Sequence, residues 1–284
     1  MPGVSRTALA PCARPLTLTL GLALALAVTL AVSACSTPPP AAAAAGPVID
    51  PAKVVDLSYA YGAETIYWPN AEGFRHRKDT WAITPGGYWY AAGDFGSAEH
   101  GGTHMDAPVH FAQGKATVDQ IPVEQLIGPV VVVDITAQAA RAPDYRASAQ
   151  DVQDFERAHG AIAAGTFVVF RTGWGRFWPD RKQYMGSDVP GDTAHLHFPG
   201  VSREAAELLV QRRIRAVGID TASMDYGPST DFIVHQVLNG AGIYGVENVA
   251  NAERLPATGA TLIALPMKIE EGTGAPTRVI AILP

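Results

Sequence analysis

Cysteine is almost missing from this chain of 284 residues: there are two, Cys12 and Cys35, both within the first 35 positions. The remainder can form no disulfide and offers no thiolate as ligand or nucleophile. Metal or nucleophile chemistry therefore falls to His, carboxylate, hydroxyl or amine groups. Positive charge is also scarce, with 21 Lys+Arg against 27 Asp+Glu and a formal net charge of −6. A chain that grips a phosphate backbone needs a basic stripe, so this balance argues against nucleic acid as a partner. Charged residues make up only 17% of the chain and hydrophobic ones 48%, the reverse of a disordered composition. No internal repeat with a period of about 20 to 50 residues is visible. The length suits one compact domain, or two at most.

The N-terminus reads as an address. Residues 1–15 carry Arg6 and Arg14 and no acid, the stretch Leu16–Ala31 is almost wholly apolar, and the small residues Ser33 and Ala34 follow. That order predicts a secretory signal peptide over residues 1–34. A membrane-spanning anchor is the alternative, disfavoured because no basic stop-transfer flank follows. Val32-Ser33-Ala34-Cys35 resembles a bacterial lipobox, which implies lipidation of Cys35 after cleavage, attachment to a membrane and a place in the cell envelope. Ser36 in second place points toward the outer membrane rather than the inner. Residues 35–48 form a Pro/Ala-rich tether with no large side chain to bury, so the folded domain should span residues 49–284.

Within that domain, β-branched runs alternate with helical patterns. Strands are expected at Val130–Ile135, Phe167–Arg171, Ala216–Asp220, Ile243–Glu247, Thr261–Leu265 and Arg278–Ile282. Helices should start at Ser148, with Asp151 three residues on, and at Ser202, with Glu204 in its first turn. A third should run from about Asp231 to Leu238 and close at Asn239-Gly240. This alternation predicts an α/β domain with at least partly parallel strands. Val54–Phe111 is rich in Gly, Pro and aromatics and yields no clear elements.

One segment carries chemistry. Between Glu99 and Phe111 lie His100, His104 and His110, three of the eight histidines, with Asp106 among them. Gly101-Gly102 and Pro108 argue against a helix, and in an extended chain these four even-numbered side chains begin on one side. Two imidazoles and a carboxylate suit Zn²⁺, Mn²⁺ or Fe²⁺, leaving positions open for water and substrate. The two glycines would let the backbone pass close to the ion. Burying so many polar groups without a compensating ion would be costly. His235, inside a helical pattern, and Glu247, ending an apolar strand, fit either burial or function when read alone.

At these residues the sequence resembles the cyclase-like metal hydrolases, the family of bacterial kynurenine formamidase and isatin hydrolase. Their signature His-x-Gly-Thr-His-x-Asp-x-Pro-x-His-Phe matches His100–Phe111 at every specified position. Trp68-Pro69, Arg171–Trp174, Gly218–Asp225 and the pair His235 and Glu247 extend the likeness over Val54–Pro284. The resemblance implies the swivelling β/β/α-type α/β fold of that family, a mixed sheet with flanking helices. It implies that His100, His104 and Asp106 bind a first ion and that His235 and Glu247 complete a second site. It also implies that His110 transfers protons and Trp68 lines the substrate pocket. One or two ions per chain, Zn²⁺ or Mn²⁺, and a homo-oligomer are expected on the same ground.

The activity so implied is hydrolysis of a non-peptide C–N bond in an aryl formamide, lactam or cyclic imide, by water that the metal activates. Trp68, with Tyr88, Trp89 and Tyr90, could stack against an aromatic small molecule. The alternatives are a non-catalytic envelope lipoprotein that binds metal or ligand, and a metal-dependent lyase or isomerase using the same site.

Overall fold

The computed structural model describes residues 49–284. The expected signal peptide, the lipidation expected at Cys35 and the expected tether, over residues 1–48, lie outside the described residues. Twelve strands are described: β1 (Val54–Asp56), β2 (Arg75–Ile83), β3 (Trp89–Gly96), β4 (His104–Asp106), β5 (Ile127–Asp134), β6 (Arg146–Ala147), β7 (Phe167–Arg171), β8 (Gly200–Val201), β9 (Ala216–Ile219), β10 (Tyr244–Glu247), β11 (Ala260–Pro266) and β12 (Gly274–Ile282). Five α-helices accompany them: α1 (Thr136–Arg141), α2 (Ala149–His159), α3 (Arg181–Met185), α4 (Arg203–Gln211) and α5 (Ile233–Gly240).

The main sheet runs β1-β12-β11-β5-β7-β9-β10-β4, and β4 pairs back onto β12, which closes it like a barrel. Strands β5, β7, β9 and β10 are mutually parallel; the pairs that close the ring are antiparallel. The alternating pleat explains why the central runs are apolar throughout. Val130, Val132, Phe167 and Val169 face one core cluster with Met105, Val246 and Val279. Their neighbours Val133, Val168 and Phe170 face a second cluster with Val152 and Phe155 of α2, Leu209 of α4 and Leu238 of α5. A strand buried on both faces needs no polar alternation, and each such side chain contributes about 1.5–3 kcal/mol by leaving water.

The helix starts follow from capping. Ser148 and Asp151 form a reciprocal capping box at α2, and Ser202 caps α4 through the amide of Ala205. Asp220 joins two strand ends: its carboxylate accepts from the backbone and hydroxyl of Thr172 at 2.8 and 2.6 Å and from the amide of Gly173 at 2.9 Å. The Arg171–Trp174 and Gly218–Asp225 runs thus meet in a buried clamp between β7 and β9. A separate hairpin, β2–β3, projects outside this architecture.

Candidate metal centre

Register assembles the site. In the antiparallel pair of β4 and β10, His104 lies opposite Glu247 and Asp106 opposite Gly245, so both β4 side chains rise on the face that carries Glu247. His235 is on the first turn of α5. His100 reaches the same place from the turn before β4, and His110 ends a 3-10 turn, Pro108–His110, behind it. The expected extended run therefore exists only as three strand residues. The short strand still puts His104 and Asp106 on one side, and the flanking turns bring in the other two histidines.

The glycines also make room for neighbouring side chains. A Cβ on Gly101 would sit 2.1 Å from the Tyr67 ring, and one on Gly102, whose φ is +58°, would press on Tyr61. They admit two tyrosine rings that brace the turn. Tyr61 donates to the carbonyls of Gly101 and Thr103 at 2.9 and 2.6 Å, fixing the approach to β4.

The donors crowd around Asp106. Its Oδ1 lies 2.5 Å from His100 Nδ1 and 3.2 Å from His104 Nε2; its Oδ2 lies 3.3 Å from His235 Nε2. Glu247 places one oxygen 3.5 Å from His104 Nε2 and the other 3.2 Å from His235 Nε2. Each oxygen of Asp106 thus faces a different set of donors. His104, Asp106 and Glu247 form one group whose ligand atoms converge, and His100, Asp106 and His110 another. His104, Asp106, His235 and Glu247 are all buried.

A second ring of contacts fixes the imidazoles. His104 Nδ1 donates to the carbonyl of Gly102 at 3.0 Å, which turns Nε2 toward the carboxylates. That buried Nε2 makes no hydrogen bond. His235 Nδ1 is held at 2.7 Å by Asp225, whose carboxylate also accepts from the amides of Val234 and His235. One carboxylate thus caps α5 and orients the ring. Metal-binding histidines usually show this arrangement.

Electrostatics agree. Burial opposes the imidazolium of His104, yet Asp106 and Glu247 outweigh it and push this histidine up to about 9. Burial opposes that of His235 too, but the hydrogen bonds its ring donates to Asp106, Asp225 and Glu247 hold it above its ordinary value. Burial, reinforced by Asp106, raises Glu247. The pocket is short of positive charge, which a divalent cation would supply while displacing the protons. His110 behaves oppositely: burial, with the neighbouring histidines, lowers it to about 4 despite Asp106, so it is neutral near pH 7. Its ring stacks on that of His100 with centroids 3.8 Å apart.

These residues line a cavity of about 260 Å³ together with Trp68, Phe111 and Phe232. Phe232 lies 6.0 Å from Trp68 and 5.5 Å from Phe111 between ring centroids. Its backbone is left-handed, φ +50°, a conformation costing a bulky residue about 1–3 kcal/mol. Tyr88, Trp89 and Tyr90, expected as stacking partners, are instead exposed on the hairpin and do not line the cavity. A hairpin must satisfy its own turn and pairing first, and no residue of this one lines the cavity. Sequence reasoning assigned no role to Phe111, Asp225 or Phe232. Phe111 and Asp225 fall inside quoted motifs, whereas Phe232 has only its position three residues before His235 to recommend it.

A family model described as "Putative cyclase" matches residues 55–226. Isatin hydrolase of Roseibium aggregatum is 37% identical over 194 residues, covering 66% of this chain and 72% of that one. Kynurenine formamidase of Salinibacter ruber is 30% identical over 238 residues, covering 80% and 96%. Among solved structures, an isatin hydrolase bound to the product analogue thioisatinate is similar with a TM-score of 0.75 and 32% identity, covering 82% and 92%.

Proposed function

The chain belongs to the cyclase family, and on that premise we propose that it hydrolyses an aryl formamide, lactam or cyclic imide at the cavity that Trp68 lines. It is a metal-dependent hydrolase that cleaves C–N bonds other than peptide bonds. The relatives are named for isatin and for a formamide of kynurenine, in both of which an aromatic ring carries the amide nitrogen, and the cavity offers such a ring Trp68 and Phe232.

His100, His104, Asp106, His235 and Glu247 would hold one or two ions, Zn²⁺ or Mn²⁺, with Asp106 shared between the donor sets. When bound, a divalent cation supplies Lewis acidity and makes hydroxide available near neutral pH. The protein's own groups do the rest. His110, neutral at pH 7, accepts a proton at its free ring nitrogen and returns it to the leaving nitrogen. Asp225 keeps His235 aimed at the centre, and the aromatic walls exclude bulk water.

The observation that carries this reading is His104 Nε2, buried, without a hydrogen bond, and facing Asp106 and Glu247. Metal analysis of the purified protein, followed by turnover of isatin-like lactams and aryl formamides before and after chelation, tests it. Activity should vanish with the metal and return on adding it; a metal-free wild type that still hydrolyses its substrate would overturn the reading.

The N-terminal reading supports an exported lipoprotein held in the envelope through Cys35. Fatty-acid labelling of the intact chain, lost in Cys35→Ser, checks it. From its resemblance to commonly oligomeric proteins, the chain is expected to form a homo-oligomer.

A further inference from the structure

The histidines of the centre do not all present the same nitrogen. His104 and His235 commit Nδ1 to Gly102 and Asp225 and turn Nε2 inward. His100 is reversed: its Nδ1 faces Asp106 Oδ1, and its Nε2 lies 2.9 Å from the hydroxyl oxygen of Thr273 at the outer rim. That hydroxyl is itself committed. It donates to Glu99 Oε2 at 2.5 Å, and the same carboxylate oxygen accepts from the amide of Thr273 at 2.9 Å. A carboxylate can only accept, so the hydroxyl proton goes to Glu99 and the oxygen of Thr273 is left as acceptor for His100. Nε2 then carries the ring proton, and Nδ1 keeps its lone pair toward Asp106. A bare nitrogen and a carboxylate oxygen 2.5 Å apart repel each other unless they share a cation.

The strand that closes the barrel makes the seat of this ring. In the pairing of β12 with β4, Gly274 lies opposite Asp106, and the carbonyl of Thr273 accepts from the amide of Ala107 at 2.9 Å. A Cβ on Gly274 would come within 2.5 Å of His100 Cε1 and 2.6 Å of the Met105 carbonyl, so the imidazole lies directly against the backbone there. The contact that shuts the ring of strands also carries the hydroxyl to Nε2.

We propose that Thr273 and Glu99 are positioning residues, a relay that fixes the tautomer of His100 and makes Nδ1 its metal-binding atom. The inference rests on the hydrolase reading and deepens it, by assigning two residues outside the ligand set to the assembly of the centre. Hydrogen bonds run one way, from ring to hydroxyl to carboxylate, and the negative charge at the far end raises the basicity of the nitrogen that faces the ion. His110 stacks on the same ring, so the relay also fixes the platform of the proton-transferring residue. Valine at position 273 would keep the branched shape and remove the only acceptor for Nε2; serine would keep the acceptor.

The full chain in mild detergent, stripped of metal and titrated with zinc against a chromogenic chelator, tests the relay without reading turnover. Thr273→Val should weaken zinc binding by about 10–100-fold, Glu99→Gln by less, and Thr273→Ser should bind as the wild type does. Circular dichroism of all three should match the wild type, since both residues stand at the rim. Long-range ¹H–¹⁵N spectra of the zinc-loaded protein labelled with ¹⁵N-histidine read the tautomers directly. The signals of His100, identified by their loss in His100→Asn, should show the proton on Nε2, whereas His104 and His235 should carry it on Nδ1. A wild type that binds zinc while Thr273→Val binds it as tightly, or a His100 protonated on Nδ1, overturns the relay and leaves the hydrolase reading standing. A wild type that takes up no zinc overturns both.

Discussion

Strand β4 and the hairpin β2–β3 are neighbours in the chain and opposites in the fold. All three residues of β4 are buried, two of them ionisable; the seventeen residues of the two hairpin strands are exposed apart from three that are half-buried. Both regions carry histidine, and their environments decide what the imidazole does. His76 stands in solvent on β2. His104 is enclosed with two carboxylates that it can satisfy only as a cation or as a ligand to one. Residue type proposes chemistry, and burial selects which of the possible chemistries is worth its desolvation.

The comparison can be broken most forcefully at His104. His104→Ala should abolish both bound metal and turnover, read by elemental analysis and by initial rates, whereas His76→Ala should leave both intact. His110→Asn should cut kcat by about 10²–10⁴-fold with metal content unchanged, the signature of a proton-transferring residue rather than a ligand. Asp225→Asn should weaken metal affinity by about 10–100-fold in a chelator competition, because His235 loses the partner that orients it.

Acidity sharpens the contrast further. In the metal-free protein His104 is raised in the folded state to about 9, above its unfolded value near 6.5. Its stabilising contribution is thus complete below pH 6.5 and disappears as pH rises through about 9. Thermal melts of the chelated protein should show Tm falling across that window. His104→Ala should flatten the slope, and so should saturating metal, which displaces the proton. The smallest effect belongs to the hairpin: His76→Ala should change folding stability by no more than about 0.5 kcal/mol in denaturant melts, as is usual at exposed positions.

Much of the second half could be read without a structure. Phe167–Arg171 is a strand over the expected residues, Ser148 and Ser202 cap the helices they were expected to cap, and the parallel pairing of β5, β7, β9 and β10 follows from the alternation of strand and helix. These features depend on residues within a few positions of one another, where periodicity and capping act directly. Val54–Phe111 resisted the same reading because its conformation depends on distant partners. Tyr67 needs the space left by Gly101, and β1 pairs with β12, more than 220 residues away.

The candidate site divides in the same way. That His100, His104, Asp106 and His110 belong together is written in their spacing, since a short strand flanked by turns cannot carry them far apart. The wall of aromatics, the brace from Asp225 and the approach of Glu247 to His104 arise only when β10 and α5 fold against β4. Local composition thus dictated the ligand chemistry and the individual elements. Closure of the barrel decided which donors share an oxygen of Asp106 and which aromatic side chains remain outside, because contacts between residues more than a hundred positions apart are selected by packing and register, and no local pattern encodes them.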